Sequence, residues 1–426
     1  MQDIVAELRW RGLIHQSTDD QRLGAWLTGG SRTLYAGFDP TADSLHVGSL
    51  LPLMVLRRFQ RAGHQPIALV GGATGMIGDP SGKSAERNLL DLDRLQANVA
   101  GMQRQIARFL DFDAPANPAQ LVNNVDWMGG FTFLSFLRDI GKHFPVNAML
   151  AKDSVKSRIE RDDAGISYTE FSYMLLQAYD FVHLHREYGC ELQVGGSDQW
   201  GNITAGIDLA RRMHGAHLYG MTCPLLLKSD GSKMGKSERG AIWLSREKTS
   251  PYAFYQYWVN VEDKDVRMCL RFLTELPHEE IESLEASIET EPHLRKAQKR
   301  LAESLTQFVH GDEGLAAARR ATEVFFGAEF AELSAEQLLE IFADVPSKEV
   351  GRERLAAGFS LIDALTESGL VKSRGEARRT IEQSGAYVNN RGVTDIQYGL
   401  SSLDLVNDSV IVLRRGRKNY ALLRLV

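Results

Sequence analysis

The N-terminal part of the chain alternates between short apolar runs and an amphipathic segment. Leu34–Phe38 and Pro66–Gly72 are short apolar runs typical of strands that are buried on both faces. Between them, the segment from about Gly48 to Ala62 has the apolar spacing of a helix and ends before Gly63. A strand–helix–strand unit predicts a parallel sheet with helices on both faces, and ligands of such sheets bind at the carboxyl ends of the strands.

The later pattern divides the chain into further regions. We expect Gln193–Gly196 and Met221–Leu227 to add strands to the sheet, whereas the segment from Pro251 to about Val345 has an almost wholly helical pattern. The predicted fold is therefore α/β: a Rossmann-like parallel-sheet domain, then an α-helical domain and a small α+β domain. The predicted bounds are 1–240 with an insertion at about 121–161, then 241–345, a linker at 346–355, and 356–426.

Composition is that of an ordinary soluble protein. The chain has 426 residues, 43% hydrophobic and 24% charged, which suits two or three globular domains. Its three cysteines, Cys190, Cys223 and Cys269, follow neither a CxxC nor a cysteine–histidine pattern, so we expect a reducing cytoplasm, no disulfides and no protein-bound metal. The first residues lack a leader pattern and the apolar runs are short for a membrane span, so we expect no membrane association.

Charge is distributed unevenly along the chain. The net charge is −6, yet residues 352–426 contain 12 Lys and Arg against 8 Asp and Glu, a balance of +4. The remainder has 37 against 47, a balance of −10. A polyanionic partner would bind partly to this basic tail, although a basic surface that is only solvated would give the same charge balance.

The loop after the first predicted strand could bind phosphate. Thr41, His46 and Ser49 lie on the approach to a predicted helix N-terminus, where free N–H groups and the helix dipole favour anions. Gly48 has no side chain and would let a nucleotide approach the backbone. The alternative is an ordinary helix cap with a surface histidine.

A glycine-rich segment follows the second predicted strand. Residues 71–84 read GGATGMIGDPSGKS, but a phosphate-binding P-loop ending in Gly82-Lys83-Ser84 would need glycine where Ile77 stands. We therefore reject a P-loop. A flexible cationic loop with Lys83 and Arg87 could still close over pyrophosphate in the transition state.

Two lysines three residues apart occur far downstream, in Lys233-Met234-Gly235-Lys236-Ser237. Placed at the same edge of the sheet, they would supply mobile positive charge to a polyphosphate. A clamp of cations without a protein nucleophile suits displacement at phosphorus, where catalysis is positioning and charge stabilisation. The alternative is an exposed basic turn.

Polar residues form a stripe along an otherwise apolar helix. In FSYMLLQAYDF, the residues Tyr173, Gln177 and Asp180 share one helix face. A polar stripe among so many apolar neighbours is more typical of a pocket lining than of a solvated face, because buried polar groups need partners.

The two phosphate-binding motifs together resemble those of class I aminoacyl-tRNA synthetases. HVGS at residues 46–49 and KMGKS at residues 233–237 are similar to the HIGH and KMSKS motifs of that family and occur in the same order. Ser49 departs from the usual histidine or asparagine. The resemblance implies ATP with Mg²⁺ as co-substrate, and catalysis by Thr41, His46, Lys83, Arg87, Lys233 and Lys236.

Further motifs resemble the tyrosyl branch of that family in bacteria: LYAGFDP around Tyr35, IGDP at Asp79, the polar helix stripe, and GGSDQWGN at residues 195–202. The resemblance implies that Tyr35 and Asp180 bind the phenol of L-tyrosine, a group that both donates and accepts a hydrogen bond. It also implies α-amino contacts from Asp79, Tyr173 and Gln177, a carboxylate contact from Gln199, and ATP contacts from Asp39, Gly48, Ser49, Gly196, Asp198, Lys236 and Ser237.

The basic tail resembles the S4 RNA-binding module. Two short predicted helices and a small sheet would present Lys372, Arg374, Arg378, Arg379, Arg415 and Lys418 to tRNA. Phosphate contacts of this kind give salt-dependent affinity with little sequence reading. A charged, solvated helix face is the alternative.

The expected function is ligation of tyrosine to tRNA(Tyr), by a homodimer whose interface lies at about residues 131–150. Three alternatives stay open: a nucleotidyltransferase that does not use tRNA, an RNA-binding protein without catalysis, and a tryptophan-specific relative. The first would not need the tail, the second would not need the lysine loop, and the Tyr35/Asp180 pair disfavours the third.

Overall fold

The computed structural model describes residues 3–81, 91–152, 155–156, 159, 165–237, 240–325, 338–339, 341–342, 345–416 and 419–426. The chain forms two compact units: Met1–Ser245 with Glu262–Ala297, and Arg246–Val261 with Gln298–Val426. Glu262–Ala297, which the helical pattern placed in a separate domain, groups with the first unit. The predicted domain limits at residues 240, 345 and 355 stay predictions.

A six-stranded sheet in the order β1-β6-β5-β2-β3-β4 forms the centre of the first unit. All neighbouring strands are parallel except β1, which pairs antiparallel with β6. The predicted parallel sheet is confirmed, with β2 at its centre. The strands are β1 Gln16–Ser17, β2 Thr33–Phe38, β3 Gln65–Val70, β4 Gln120–Asn123, β5 Cys190–Gly196 and β6 Tyr219–Cys223.

Helices connect these strands, and apolar faces pack them onto the sheet. Tyr35 and Ile67 of the sheet share one buried cluster with Met174, Phe181 and Leu209 of two long helices. The helices of this unit are α1 Ile4–Arg11, α2 Asp20–Thr28, α3 Val47–Arg61, α4 Leu92–Ile106, α5 Val125–Met128, α6 Phe133–Asp139, α7 Val146–Leu150, α8 Tyr168–Tyr188, α9 Trp200–His214, α11 Asp263–Leu273 and α12 His278–Thr290.

One strand prediction was wrong in its bounds. The strand predicted at Met221–Leu227 is β6, Tyr219–Cys223, and it ends before Pro224, which has no N–H for a sheet hydrogen bond. At the start of the predicted insertion, Gln120–Asn123 pairs in parallel with Ile67–Val70 at the sheet edge.

The second unit contains helices and a five-stranded sheet in the order β12-β11-β14-β15-β9. Residues 346–355, the predicted linker, contain β9, which pairs with β15, and the start of a short helix. The helices are α10 Pro251–Val259, α13 Lys296–Phe325 (in this unit from Gln298), α14 Arg352–Ala356, α15 Leu361–Glu367 and α16 Arg374–Glu382. The strands are β9 Ser347–Val350, β10 Phe359–Ser360, β11 Ala386–Val388, β12 Arg391–Val393, β13 Gly399–Leu400, β14 Val410–Arg415 and β15 Asn419–Leu425.

The described helices include none that combines the length and the apolar character needed to cross a bilayer.

Candidate active site

Two adjoining cavities lie at the carboxyl ends of β2 and β5, where a parallel sheet binds its ligands. The smaller has a volume of about 250 Å³ and the larger about 350 Å³. Pro52, Val194, Gly195 and Gly196 line both, so the cavities meet at the end of β5. A ligand with two parts could therefore occupy both.

The lining of the smaller cavity presents a hydrogen-bond donor and an acceptor. The Tyr35 hydroxyl is buried and has no hydrogen-bond partner among the described residues. Asp180, 2% exposed, lines the same cavity. Burial raises the pKa of Asp180 to about 7, against the hydrogen bonds from Asn124 and Trp127, and Asp39 raises it further. Burial and the Asp180 charge raise the pKa of Tyr35 well above its usual value, so this phenol stays a donor.

Asn124 and Trp127, which the sequence patterns did not single out, hold the Asp180 carboxylate. Trp127 Nε1 donates to Asp180 Oδ1 at 2.8 Å, and Asn124 Nδ2 donates to Asp180 Oδ2 at 3.0 Å. Asn124 Nδ2 also lies 3.0 Å from Thr74 Oγ1, which donates to Asp39 Oδ1 at 2.9 Å. The available signal was that Asn124 directly follows β4, at the carboxyl edge of the sheet.

The same lining contains two further carboxylates, Asp39 and Asp79. Tyr173 Oη donates to Asp39 Oδ2 at 2.9 Å, and Gln199 Nε2 donates to Asp79 Oδ2 at 2.6 Å. Gln177 Nε2 donates to Gln199 Oε1 at 3.2 Å. Asp39, predicted to contact ATP, lines this smaller cavity and not the larger one. Carboxylates in a confined polar site favour a cationic group.

The structure brings the predicted tyrosine-binding residues together, since all of them line the smaller cavity: Tyr35, Asp79, Tyr173, Gln177, Asp180 and Gln199. Thr41 lines it too. Gln193, which pairs with Tyr35 across β2 and β5, is an additional lining residue that the patterns missed. Its Oε1 is buried without a hydrogen-bond partner in the described part of the chain.

The larger cavity lies between the start of α3 and the lysine loop, residues 228–237. Its lining includes His46 and Gly48 from the helix start and Lys233 and Lys236 from the loop. Gly196 at the end of β5 and Asp198 just after it also line this cavity. Both lysines are exposed. Cations and a helix N-terminus around one cavity favour a polyphosphate ligand.

Backbone pairing holds the lysine loop near α3. Leu227 and Lys233 form an isolated bridge, and Lys236–Ser237 (β7) pairs with Gly240–Ala241 (β8). The segment that follows returns to the helix: Val47 N donates to Ile242 O at 3.0 Å, and Leu244 N donates to Leu45 O at 2.8 Å. The two motifs, far apart in sequence, are therefore joined by backbone hydrogen bonds.

Some predicted residues are not placed at a cavity. Ser49 lines neither cavity, and its N–H donates to His46 O at 2.8 Å within the first turn of the helix. Ser237 belongs to β7, and its side chain is outside the described part of the structure. Lys83, Arg87 and Lys418 lie outside the described residues.

The predicted tRNA-binding cations of the second unit differ in their surroundings. Lys372, Arg378 and Arg379 are exposed, and Arg374 is exposed but pairs with Asp363. Arg415 is half-buried: its Nη2 lies 2.7 Å from Glu376 Oε1 and its Nη1 donates to Leu370 O at 2.9 Å. Arg415 thus braces the turn that leads into α16, and its predicted RNA contact stays a prediction.

The described ranges contain no group of three or more His, Cys, Asp or Glu side chains arranged to hold a metal ion.

A parallel α/β sheet with an HVGS motif and a KMGKS motif around one cavity is the arrangement of a class I tRNA synthetase. The model of the family "tRNA synthetases class I (W and Y)" matches residues 28–327, and that of the "Tyrosine--tRNA ligase SYY-like C-terminal domain" matches residues 337–423. The chain is 57% identical to the tyrosine–tRNA ligase of Rhodopirellula baltica, over 99% of this chain and 96% of the relative. It is 52% identical to tyrosine–tRNA ligase 1 of Bacillus subtilis, over 99% of each. The chain belongs to the tyrosine–tRNA ligase family.

Solved structures agree with this assignment. A C-terminally truncated mitochondrial tyrosyl-tRNA synthetase of Aspergillus nidulans is 33% identical, with a TM-score of 0.69 over 76% of this chain and 94% of that one. A tryptophanyl-tRNA synthetase of Encephalitozoon cuniculi, at 14% identity and a TM-score of 0.54, shares the fold.

Proposed function

We propose that the protein activates L-tyrosine with Mg-ATP and transfers the tyrosyl group to the 3′ end of tRNA(Tyr). The observation that carries this proposal is the Tyr35/Asp180 pair in the lining of the smaller cavity. A phenol placed there accepts from the Tyr35 hydroxyl, which has no partner among the described residues, and donates to Asp180. Phenylalanine would leave the Tyr35 hydroxyl buried and unpaired, which costs about 1–3 kcal/mol, and would offer Asp180 no donor beyond Trp127 and Asn124.

The rest of the tyrosine molecule suits the other polar residues that line the same cavity. Its ammonium group would lie among Asp39, Asp79, Tyr173 and Gln177, and Gln199 would lie near the carboxylate. This orientation directs the carboxylate towards Val194–Gly196, where the two cavities meet. The α-phosphate of ATP, bound in the larger cavity, would then be within reach.

In the first step a tyrosine carboxylate oxygen attacks the α-phosphorus of Mg-ATP. A C–O–P linkage forms and the bond to the β-phosphate breaks, releasing pyrophosphate and leaving tyrosyl-adenylate. His46, Lys233 and Lys236 would stabilise the charge that develops on the leaving group, with Thr41 nearby. Lys83 and Arg87, outside the described residues, stay predicted contributors.

In the second step the terminal ribose hydroxyl of tRNA attacks the carbonyl carbon of the adenylate. An ester forms, AMP leaves, and the hydroxyl proton is lost. No protein side chain forms a covalent intermediate. The basic tail, led by Lys372, Arg378 and Arg379, would contact the tRNA backbone. We infer that the protein carries out this reaction in the cytoplasm.

The closest competing function is activation of tryptophan, since the family model covers both amino acids. ATP–pyrophosphate exchange with each standard amino acid separates the two. We expect exchange with tyrosine only. Exchange with tryptophan but not tyrosine, or no exchange with any amino acid, would contradict the proposal.

Tyrosine binding should weaken below neutral pH. Burial raises the pKa of Asp180 to about 7, so this carboxylate is ionised above that pH and protonated below it. Only the ionised form accepts a charge-assisted hydrogen bond from the phenol, which is the stronger kind. We therefore expect the Kd for tyrosine, measured by equilibrium dialysis, to be nearly constant above pH 8 and to rise by up to about tenfold per unit below pH 7.

The Asn124→Ala variant tests the origin of this pH dependence. Loss of the Asn124 side chain removes one hydrogen bond that lowers the pKa of Asp180. The pH at which tyrosine binding begins to weaken should therefore be higher in the variant. A Kd that does not vary between pH 6 and 8 in the wild-type protein would contradict the assignment of Asp180 to the phenol.

We propose that the protein is a homodimer that associates through an apolar patch, defined as Phe133, Leu134, Val146 and Leu150. Their side chains are 65%, 76%, 60% and 43% exposed, and they lie on α6 and α7 in the predicted interface region. Large apolar side chains clustered on a surface mark a site of association.

Leu134→Glu should convert the protein to monomers, because a charge buried without a partner opposes association. The matched control is Leu403→Glu, which adds the same charge at a leucine that is 94% exposed in the second unit. Light scattering coupled to size exclusion should give half the wild-type mass for the first variant only. A wild-type monomer, or a dimeric Leu134→Glu variant at micromolar concentration, would contradict this interface.

A further inference from the structure

Gly235, in the middle of the lysine loop, lies against the first residue of α3. Its backbone φ is +84°, a region that favours glycine. A Cβ atom at this position would lie 2.6 Å from Val47 Cβ and 2.9 Å from Val47 Cγ1. Any side chain at residue 235 would therefore overlap with the side chain of Val47 in α3.

Hydrogen bonds fix both sides of this contact. Met234, 5% exposed, donates its N–H to Leu226 O at 3.0 Å. Ile242 N donates to Gly235 O at 2.8 Å, and Ile242 O accepts from Val47 N at 3.0 Å. Gly235 and Val47 are thus hydrogen-bonded to the same residue, Ile242, so a shift of either one relative to the other would strain or break one of these bonds.

The contact lies between the two cations of the loop. Lys233 is two residues before Gly235 and Lys236 is the next residue, and both line the larger cavity, as His46 does. Gly235 is also the position at which KMGKS departs from the KMSKS pattern. A displacement of the loop at residue 235 would move both lysines relative to the phosphate-binding helix.

We propose that Gly235 is a positioning residue: the absence of its side chain lets the lysine loop seat on Val47, and this seat sets Lys233 and Lys236 against the phosphates of ATP. The inference rests on the proposed function, since it assumes that these lysines stabilise the departing pyrophosphate. Misplacing charged groups by about 1 Å costs about a hundredfold in rate.

The test separates the overlap with Val47 from the backbone strain of a positive φ. Gly235→Ala introduces both. Gly231→Ala is the matched control, because Gly231 has a φ of +83° in the same loop and a Cβ there would meet no atom within 4 Å among the described residues. Val47→Gly removes the overlap. Without the Val47 side chain, the nearest atom to the added Cβ would be Cα of residue 47, at 3.6 Å.

The measurements are kcat and KM in tyrosine-dependent ATP–pyrophosphate exchange, the Kd for tyrosine and the melting temperature. We expect Gly235→Ala to lower kcat by about ten- to a hundredfold with an unchanged tyrosine Kd. Gly231→Ala should lower kcat by less than threefold. In a double-mutant cycle, Gly235→Ala should cost less than threefold when added to Val47→Gly.

Three results would overturn the inference: a Gly235→Ala variant within threefold of wild type, an equal loss in Gly231→Ala, or a full loss on the Val47→Gly background. A wild-type protein without tyrosine-dependent exchange would instead overturn the proposed function, and the same assay shows this before any variant is compared.

Discussion

The Asp180→Asn variant should lose about a hundred- to ten-thousandfold in kcat/KM for tyrosine, although asparagine has the same shape. Asp180 accepts two hydrogen bonds, from Trp127 Nε1 on one oxygen and from Asn124 Nδ2 on the other. An amide has only one oxygen, so its NH₂ group would face one of these donors. The loss of a charged acceptor for the phenol costs about 1.5–3 kcal/mol and a buried unpaired donor about 1–3 kcal/mol, which together give about 2.5–6 kcal/mol.

This result would be specific to the tyrosine half of the site. The larger cavity does not contain Asp180, so the KM for ATP should change by less than threefold. The second readout is discrimination: the variant should lose most of the preference for tyrosine over phenylalanine. If Asp180→Asn keeps kcat/KM within tenfold of wild type, the phenol does not bind to this carboxylate.

The Lys236→Ala variant should slow formation of tyrosyl-adenylate by about a hundred- to a thousandfold, the usual cost of removing one group that stabilises transition-state charge. Lys236 lines the larger cavity and not the smaller one, so tyrosine binding should stay intact. Single-turnover measurement of adenylate formation, with tyrosine Kd measured separately, gives both quantities.

Lys264→Ala is the control for loss of a positive charge, since Lys264 is an exposed residue on α11 that lines neither cavity. It should leave the rate of adenylate formation within twofold. Weakened tyrosine binding in Lys236→Ala, or a rate that equals that of the control, would remove Lys236 from the proposed role.

Features that depend on residues close together in the sequence could be predicted from it. The strand–helix–strand unit is visible in the spacing of apolar residues, and the stripe of Tyr173, Gln177 and Asp180 follows from the helical repeat alone. Both depend on residues that are close in sequence. The observed bounds of β2, α3 and β3 accordingly differ from the predicted bounds by no more than two residues.

Features that depend on distant residues were missed or misplaced. Asn124 and Trp127 matter because they meet Asp180, more than fifty residues away, and no local pattern carries that contact. The pairing of Arg415 with Glu376 likewise depends on residues far apart in the chain, and its predicted contact with RNA stays a prediction. Residues 121–123 lie within the predicted insertion, and only the pairing with β3 makes Gln120–Asn123 a strand.

The sequence by itself determined the α/β class, the two phosphate-binding motifs and the identity of most side chains in the site, because periodicity and short motifs are local properties. The tertiary structure decided how those side chains meet. It joined HVGS and KMGKS through Ile242, placed Gly235 against Val47, and gave the Asp180 carboxylate its two donors. Hydrogen bonds and steric contacts act over a few ångströms, and the residues that make them are brought that close only by folding.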